Sequence, residues 1–126
     1  MTENTNPPTI LIVEDNLPIN RLFCKKLSAV GFSCEGVTTI NTAISAIKTA
    51  TPDLLILDFE LPDGYGIQVL DFLSSQNIQI PTIVASASPF ALKLHYAHYD
   101  ISHVLVKPVS PQHLADVVKK MLCSAA

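Results

Sequence analysis

Five side chains in this sequence could do chemistry together: Glu14, Asp15, Asp58, Ser86 and Lys107. Asp58 is the most pointed of them. It follows the apolar run Leu54 to Leu57, and Pro62, Gly64 and Gly66 break the chain soon after, so a buried segment hands one carboxylate to a loop. An acid presented in this way can hold a metal, take a proton or attack an electrophile. Glu14 and Asp15 follow a second apolar run, Ser86 a third and Lys107 a fourth. If those runs end side by side, three carboxylates crowd together and require protonation or a cation. The set contains no His or Cys, so a hard divalent cation with oxygen ligands, magnesium rather than zinc, suits it. With such a cation, Asp58 could attack phosphorus to give an aspartyl phosphate while the Lys107 ammonium and the Ser86 hydroxyl meet phosphoryl oxygens. Asp58 is then the nucleophile, with Glu14 and Asp15 holding the metal.

The elements that would bring these residues together can be read from the hydrophobic pattern. Short runs at 9–13 (TILIV), 33–37 (SCEGV, the weakest), 53–57 (DLLIL), 81–85 (PTIVA) and 103–106 (HVLV) have the length and β-branched content of strands. Between them lie helical stripes: Ile19, Leu22, Phe23, Leu27 and Val30; Ile40, Ala43, Ile44 and Ile47; Ile67, Leu70 and Leu73. A last stripe of Leu114, Val117, Val118, Met121 and Leu122 follows the fifth run. Asn16, Ser88 and Ser110 stand where helix N-caps belong, with Pro18, Pro89 and Pro111 in the first turns, and Gly31 sits where the first helix should stop. The segment between Ser88 and about Tyr99 reads as a helix whose Phe90, Leu92, Leu94 and Tyr96 share no stripe. Strict β-α alternation predicts an α/β fold, a doubly wound five-stranded parallel sheet of flavodoxin-like order 2-1-3-4-5. In such a sheet, ligands bind beyond the carboxyl ends of the strands, where all five residues belong.

With these pieces in order, the sequence resembles a two-component response-regulator receiver domain. The likeness runs from about Thr9 to Leu122. It is carried by "LIVEDN" with its acidic pair, "LDFELPDGYG" as D-x-x-[ML]-P-x-x-x-G, "PTIVASA" with a hydroxyl before Ala87, and "VLVKP" with its Lys-Pro. "VEDNLPINRLF" further resembles the receivers of hybrid kinases and phosphorelays. The resemblance implies a receiver domain at 9–122 between tails at 1–8 and 123–126. It implies Mg2+ held by Glu14, Asp15, Asp58 and the backbone carbonyl of Glu60, and a cis Lys107–Pro108 bond. It also implies a phosphoryl group accepted from a histidine kinase or histidine phosphotransfer protein. Phosphorylation would draw Ser86 towards the phosphoryl group and bias the face made by the fourth helix, the fifth strand and the last helix, through which a homodimer or a downstream effector could be engaged.

The pattern also departs from that family. Val104 stands where receivers usually carry Tyr or Phe, three residues before the lysine, and strand alternation points its neighbour His103 to the other face. Asp100 replaces a common glycine and Ile101 a small residue. A constitutive protein-interaction module, not switched by phosphate, is therefore the alternative. An aspartate-nucleophile phosphatase is not favoured, because Glu60 stands where a second Asp is needed and no cap insertion is present. A flavin or nucleotide binder would want a Gly-rich or Ser/Thr-rich phosphate loop, and none follows the first strand.

Composition sets the remaining bounds. In 126 residues, 48% are hydrophobic and 15% charged, which suits one globular domain able to bury its own core. The net charge of −3 gives no basic footprint for nucleic acid or anionic membrane. No apolar segment approaches the roughly 20 residues that span a bilayer, and the polar "MTENTNPPT" is not a secretion signal, so a cytoplasmic protein is expected. Few residues follow the last helix, which leaves no output domain in this sequence; signalling would pass to a partner or to the rest of a longer chain. Cys24, Cys34 and Cys123 form no CxxC and are expected to be reduced, mostly core thiols without a redox or metal role. His95 and His98, with His103 and His113, read as surface histidines. Gly64 and Gly66 read as turn residues that lead the chain away from Asp58.

Overall fold

Apolar residues of the strands fall into two sets by parity, and the sheet sends each set to its own face. The computed structural model describes residues 6–87, 99 and 101–123. Its strands are β1 (Thr9–Val13), β2 (Ser33–Val37), β3 (Leu54–Asp58), β4 (Glu60–Leu61), β5 (Gly64–Tyr65), β6 (Thr82–Ser86) and β7 (His103–Val106). The helices are α1 (Leu17–Ala29), α2 (Ile40–Thr49), α3 (Ile67–Ser75) and α4 (Pro111–Cys123). Five strands form one parallel sheet in the order β2-β1-β3-β6-β7, and β4 and β5 make a separate antiparallel ribbon. Counting sheet strands alone, this is the expected 2-1-3-4-5.

Leu11, Val13, Leu55, Leu57 and Val84 pack with Ile40, Ala43 and Ile47 of α2 and Val69, Leu70 and Leu73 of α3. Ile10, Ile12, Leu54, Ile56, Ile83 and Leu105 pack with Phe23 and Leu27 of α1 and Leu114, Val117 and Val118 of α4. This period-two division puts a helical layer on each face, which parallel strands require. Every residue of β3 is buried. Each of its leucines contributes roughly 2 kcal/mol through removal from water, so the strand that carries Asp58 is a rigid base.

Local signals fix the helix starts. The Asn16 side chain accepts from the Ile19 amide at 3.0 Å, and Ser110 Oγ accepts from the His113 amide at 3.0 Å. Gly31 follows α1 at φ +108°, a conformation that disfavours side chains with a Cβ. The loop after β3 is pinned to α2, since Asp63 accepts from the amides of Ile40 (2.9 Å) and Asn41 (3.1 Å). Gly64 at φ +148° lets the ribbon turn, and the Gly66 amide closes on the Phe59 carbonyl at 2.7 Å.

Two sequence-based expectations need correction. The third and fourth strands run to 54–58 and 82–86, one residue later than 53–57 and 81–85, because the ladder continues through Asp58 opposite Ala85. Asp58 and Ser86 therefore end strands and do not follow them. In α1, Ile19 and Leu22 are exposed while Asn20 is buried, so the helix lies rotated from the expected stripe about Phe23 and Leu27. The weak β2 is an edge strand with no buried residue. The expected helix at Ser88 to about Tyr99, with its Ser88–Pro89 cap, Phe90, Tyr96, His95 and His98, falls outside the described residues except for Tyr99, and so does Asp100. Among the described residues, no helix is long and apolar enough to cross a membrane.

Candidate functional site

Parallel strands end at one edge, and the five expected residues stand at the ends of β1, β3, β6 and β7. Glu14, Asp58 and Ser86 are buried, with exposures of 5%, 5% and 4%, although polar groups rarely leave water without partners. Carboxylate oxygens of Glu14, Asp15 and Asp58 lie within 4.8 Å of one another, and Asp15 is the exposed member. Lys107 joins them from the far side of β6. Its Nζ donates to Asp58 Oδ2 at 2.8 Å and stands 3.3 Å from Glu14 Oε1. Lys107 is placed by backbone geometry: its amide donates to the Ser86 carbonyl at 2.8 Å, and the Lys107–Pro108 bond is cis, as expected.

Each acid is held separately. Glu14 Oε2 accepts from the Asn16 amide at 3.0 Å, and the Glu14 amide donates to the Val37 carbonyl at 3.0 Å. Asp58 Oδ1 faces the Glu60 amide at 3.4 Å, a weak contact beside the firm one from Lys107. Glu60 is exposed two residues beyond Asp58, and Ser86 ends the strand that pairs with β3.

Electrostatics follow from burial. Removal from water raises the Glu14 carboxyl above its ordinary range, and the nearby Asp58 charge adds to this. The Asn16 amide and the Lys107 ammonium offset only part of it. Burial alone would lower the Lys107 pKa, but its hydrogen bond to Asp58 and the charges of Asp58 and Glu14 raise it, so the ammonium is held firmly protonated. A site with three carboxylates, one cation and only oxygen acceptors suits a hard divalent cation at Glu14, Asp15 and Asp58.

Asn20 is the supporting residue that the sequence reading missed. Its Nδ2 donates to the carbonyls of Glu14 and Val37, both at 2.9 Å, and so ties the root of the acidic loop to β2. Gly36 makes room for it, since a Cβ there would lie 1.8 Å from Asn20 Oδ1. The available signal was the spacing of Asn20, Phe23 and Leu27, which puts a polar residue at the head of the buried stripe. Leu17, Ile19 and Leu22 are instead exposed by 45%, 38% and 51%. Ile19 and Leu22 line a small apolar hollow of about 110 Å³ that also touches Asp58, Lys107, Pro108 and Val109. On β7, an edge strand, Val104 and Val106 are exposed by 42% and 53%, and neighbouring His103 is exposed as well.

Comparison with known proteins agrees with this arrangement. Residues 10–119 match the response regulator receiver domain family. The phosphate regulon transcriptional regulatory protein PhoB of Escherichia coli (strain K12) is 28% identical over 116 residues, covering 90% of this chain and 51% of that protein. PhoB of Pseudomonas aeruginosa is 30% identical over 117 residues, again covering 90% of this chain and 51% of its own length. The chain thus spans about half the length of these curated relatives. Among solved structures, the receiver domain of the Francisella response regulator 1452 superposes with a TM-score of 0.84 at 25% identity, covering 94% of this chain and 99% of that one.

Proposed function

The chain belongs to the response regulator receiver domain family of two-component signalling, and from this we propose that it is a phosphoacceptor whose Asp58 takes a phosphoryl group from a phosphohistidine. The observation that carries the reading is the pairing of buried Asp58 with Lys107 at 2.8 Å, beside Glu14 and Asp15, at the carboxyl edge of the sheet. An Asp58 carboxylate oxygen forms the bond to phosphorus as the phosphorus–nitrogen bond to the donor imidazole breaks, and the electron pair leaves on that nitrogen. Glu14, Asp15, Asp58 and the Glu60 carbonyl would hold Mg2+, which supplies charge neutralisation for the phosphoryl oxygens. Lys107 holds Asp58 in place before transfer, and afterwards its ammonium is free to turn to a phosphoryl oxygen. The Ser86 hydroxyl, at the end of the adjacent strand, would hydrogen-bond another. The donor is a histidine kinase or histidine phosphotransfer protein, and its docking is supported by the exposed apolar Leu17, Ile19 and Leu22 beside the cleft.

Output passes to a downstream effector protein, through the β7–α4 face or to the rest of a longer chain, in the cytoplasm. A homodimer through that face is one form it could take. The exposed aliphatic Val104, where receivers usually carry an aromatic reporter, favours a second reading: a constitutive interaction module on the same fold. Intact-protein mass after incubation with Mg2+ and acetyl phosphate separates the two. One added phosphoryl group on wild type and none on Asp58→Asn is expected. No adduct on wild type at high donor and short times would sink the phosphoacceptor reading and leave the constitutive module.

A further inference from the structure

Two cysteines that share no sequence motif meet in the fold. Cys24 lies on α1 and Cys34 on the edge strand β2, in register with Ile10. Their sulfurs are 2.9 Å apart, with Cys34 donating to Cys24, and both are free, part-buried thiols. They pack against the apolar layer that contains Phe23, Leu27 and Phe32, beside the polar end of Asn20, whose Oδ1 is 3.9 Å from Cys24 Sγ. Both are free, as expected, and the fold brings them into contact although no sequence motif pairs them. We propose that Cys24 and Cys34 form a reversible dithiol–disulfide site that ties α1 to β2 when a low-molecular-weight disulfide oxidises it.

A bonded pair has its sulfurs at about 2.0 Å, so closure asks for a relative movement of roughly 1 Å. The geometry also assigns the order of events. Burial, then the hydrogen bond to Cys24 and the charges around it, push the Cys34 thiol far above its ordinary range, so Cys34 keeps its proton. The thiolate is the attacking species, and Cys24, which receives the S–H bond, is the sulfur that attacks first. The Cys24 thiolate attacks one sulfur of the oxidant, whose S–S bond breaks and releases one small thiolate. The resulting mixed disulfide links Cys24 to the other half. The first small thiolate released takes the Cys34 proton, and the Cys34 thiolate then attacks the Cys24 sulfur and expels the second small thiolate. Two protein thiols are oxidised by two electrons and one small disulfide is reduced to two thiols. Excess small thiol reverses the sequence.

An equilibrium measurement tests this without depending on how fast the oxidant reaches a part-buried sulfur. The full chain, carrying Cys123→Ser so that only the pair remains, is equilibrated with mixtures of oxidised and reduced glutathione, quenched with acid, alkylated and weighed. The same titration is run in denaturant. The folded protein should form the intramolecular disulfide at a redox ratio at least about tenfold more reducing than the unfolded chain needs, because the fold holds the sulfurs together. Proteolytic mapping of oxidised wild type should find the Cys24–Cys34 bridge, and Cys34→Ser should stop at the glutathione mixed disulfide on Cys24. A folded midpoint equal to or more oxidising than the unfolded one would overturn the proposal. So would a stable mixed disulfide as the end product of the chain that retains both cysteines.

Discussion

Replacing Asn20 by alanine tests how the acidic loop is held. The change removes two hydrogen bonds of 2.9 Å, to the carbonyls of Glu14 and Val37. Each is worth about 1 kcal/mol net, and a buried carbonyl that loses its donor adds about 1 kcal/mol more. Alanine is the better helix former by about 0.6 kcal/mol, which offsets part of the loss. The balance is a destabilisation of about 2–3 kcal/mol. For a chain of this length, that lowers the melting temperature by about 10 °C. Urea unfolding should show a lower midpoint with an unchanged slope, since the exposed surface is the same. Gly36→Ala attacks the same contact from the opposite side. Its new Cβ would lie 1.8 Å from Asn20 Oδ1 and 2.8 Å from Cγ, so the amide must leave. Once Asn20 is alanine, that methyl has room. The double variant should therefore be no more than about 1 kcal/mol less stable than Asn20→Ala alone, well short of the sum of the two single effects. Strict additivity, or a neutral Gly36→Ala, would refute the argument that Gly36 exists to seat the Asn20 amide.

Three further outcomes follow from the site and its loop. Lys107→Ala leaves the buried Glu14 and Asp58 carboxylates facing each other and should cost about 1–3 kcal/mol at neutral pH, discounted because Lys107 is 31% exposed. The folded pKa of Glu14 lies above its unfolded value, so its contribution favours folding at low pH and is lost as pH rises through the folded value. The gap between this variant and wild type should accordingly narrow in urea melts at pH 5 relative to pH 8, and an equal gap would contradict the assigned charge balance. Millimolar Mg2+ should raise the melting temperature of wild type by ligand linkage, and Asp15→Ala, a change at an exposed side chain, should remove most of that rise. Asp63→Ala should destabilise by about 1 kcal/mol through loss of its bonds to the α2 amides. The Ile40 amide foremost holds the Asp63 carboxyl below its ordinary range, so this contribution is present above the unfolded carboxylate range and is lost as pH falls through the folded value.

The carboxyl-edge residues were legible because each follows a run with strong period-two or continuous apolar character. Leu54 to Leu57 reads as a buried strand in any register, and the rule that parallel strands end at one edge does the rest. Strand ends were off by one at Asp58 and Ser86, since ladder hydrogen bonds and not side-chain polarity decide where pairing stops. The face of α1 was misread for a different reason. Ile19 and Leu22 look like core residues by hydropathy, but Asn20 takes the inward position, where its amide bridges the carbonyls of Glu14 and Val37. No periodicity argument sees that bridge. The Cys24–Cys34 contact was invisible because it joins an inner turn of a helix to an edge strand ten residues on, with no fixed spacing to mark it.

How far apart Asp58 and Lys107 stand is set by registers and not by the loops between them. Asp58 lies opposite Ala85, and Ser86 lies opposite Val106, so two strand pairings carry the position of Lys107 back to Asp58. The Lys107 amide bond to the Ser86 carbonyl extends the second pairing by one residue. A slip of one residue in either pairing would turn each side chain of the moved strand to the opposite face. It would carry Leu105 out of the core and Lys107 away from the carboxylates together. The packing of Leu105 and Ile83 against Leu114 and Val118 therefore guards the 2.8 Å ion pair. The chemistry of the cleft thus depends on core residues well below it.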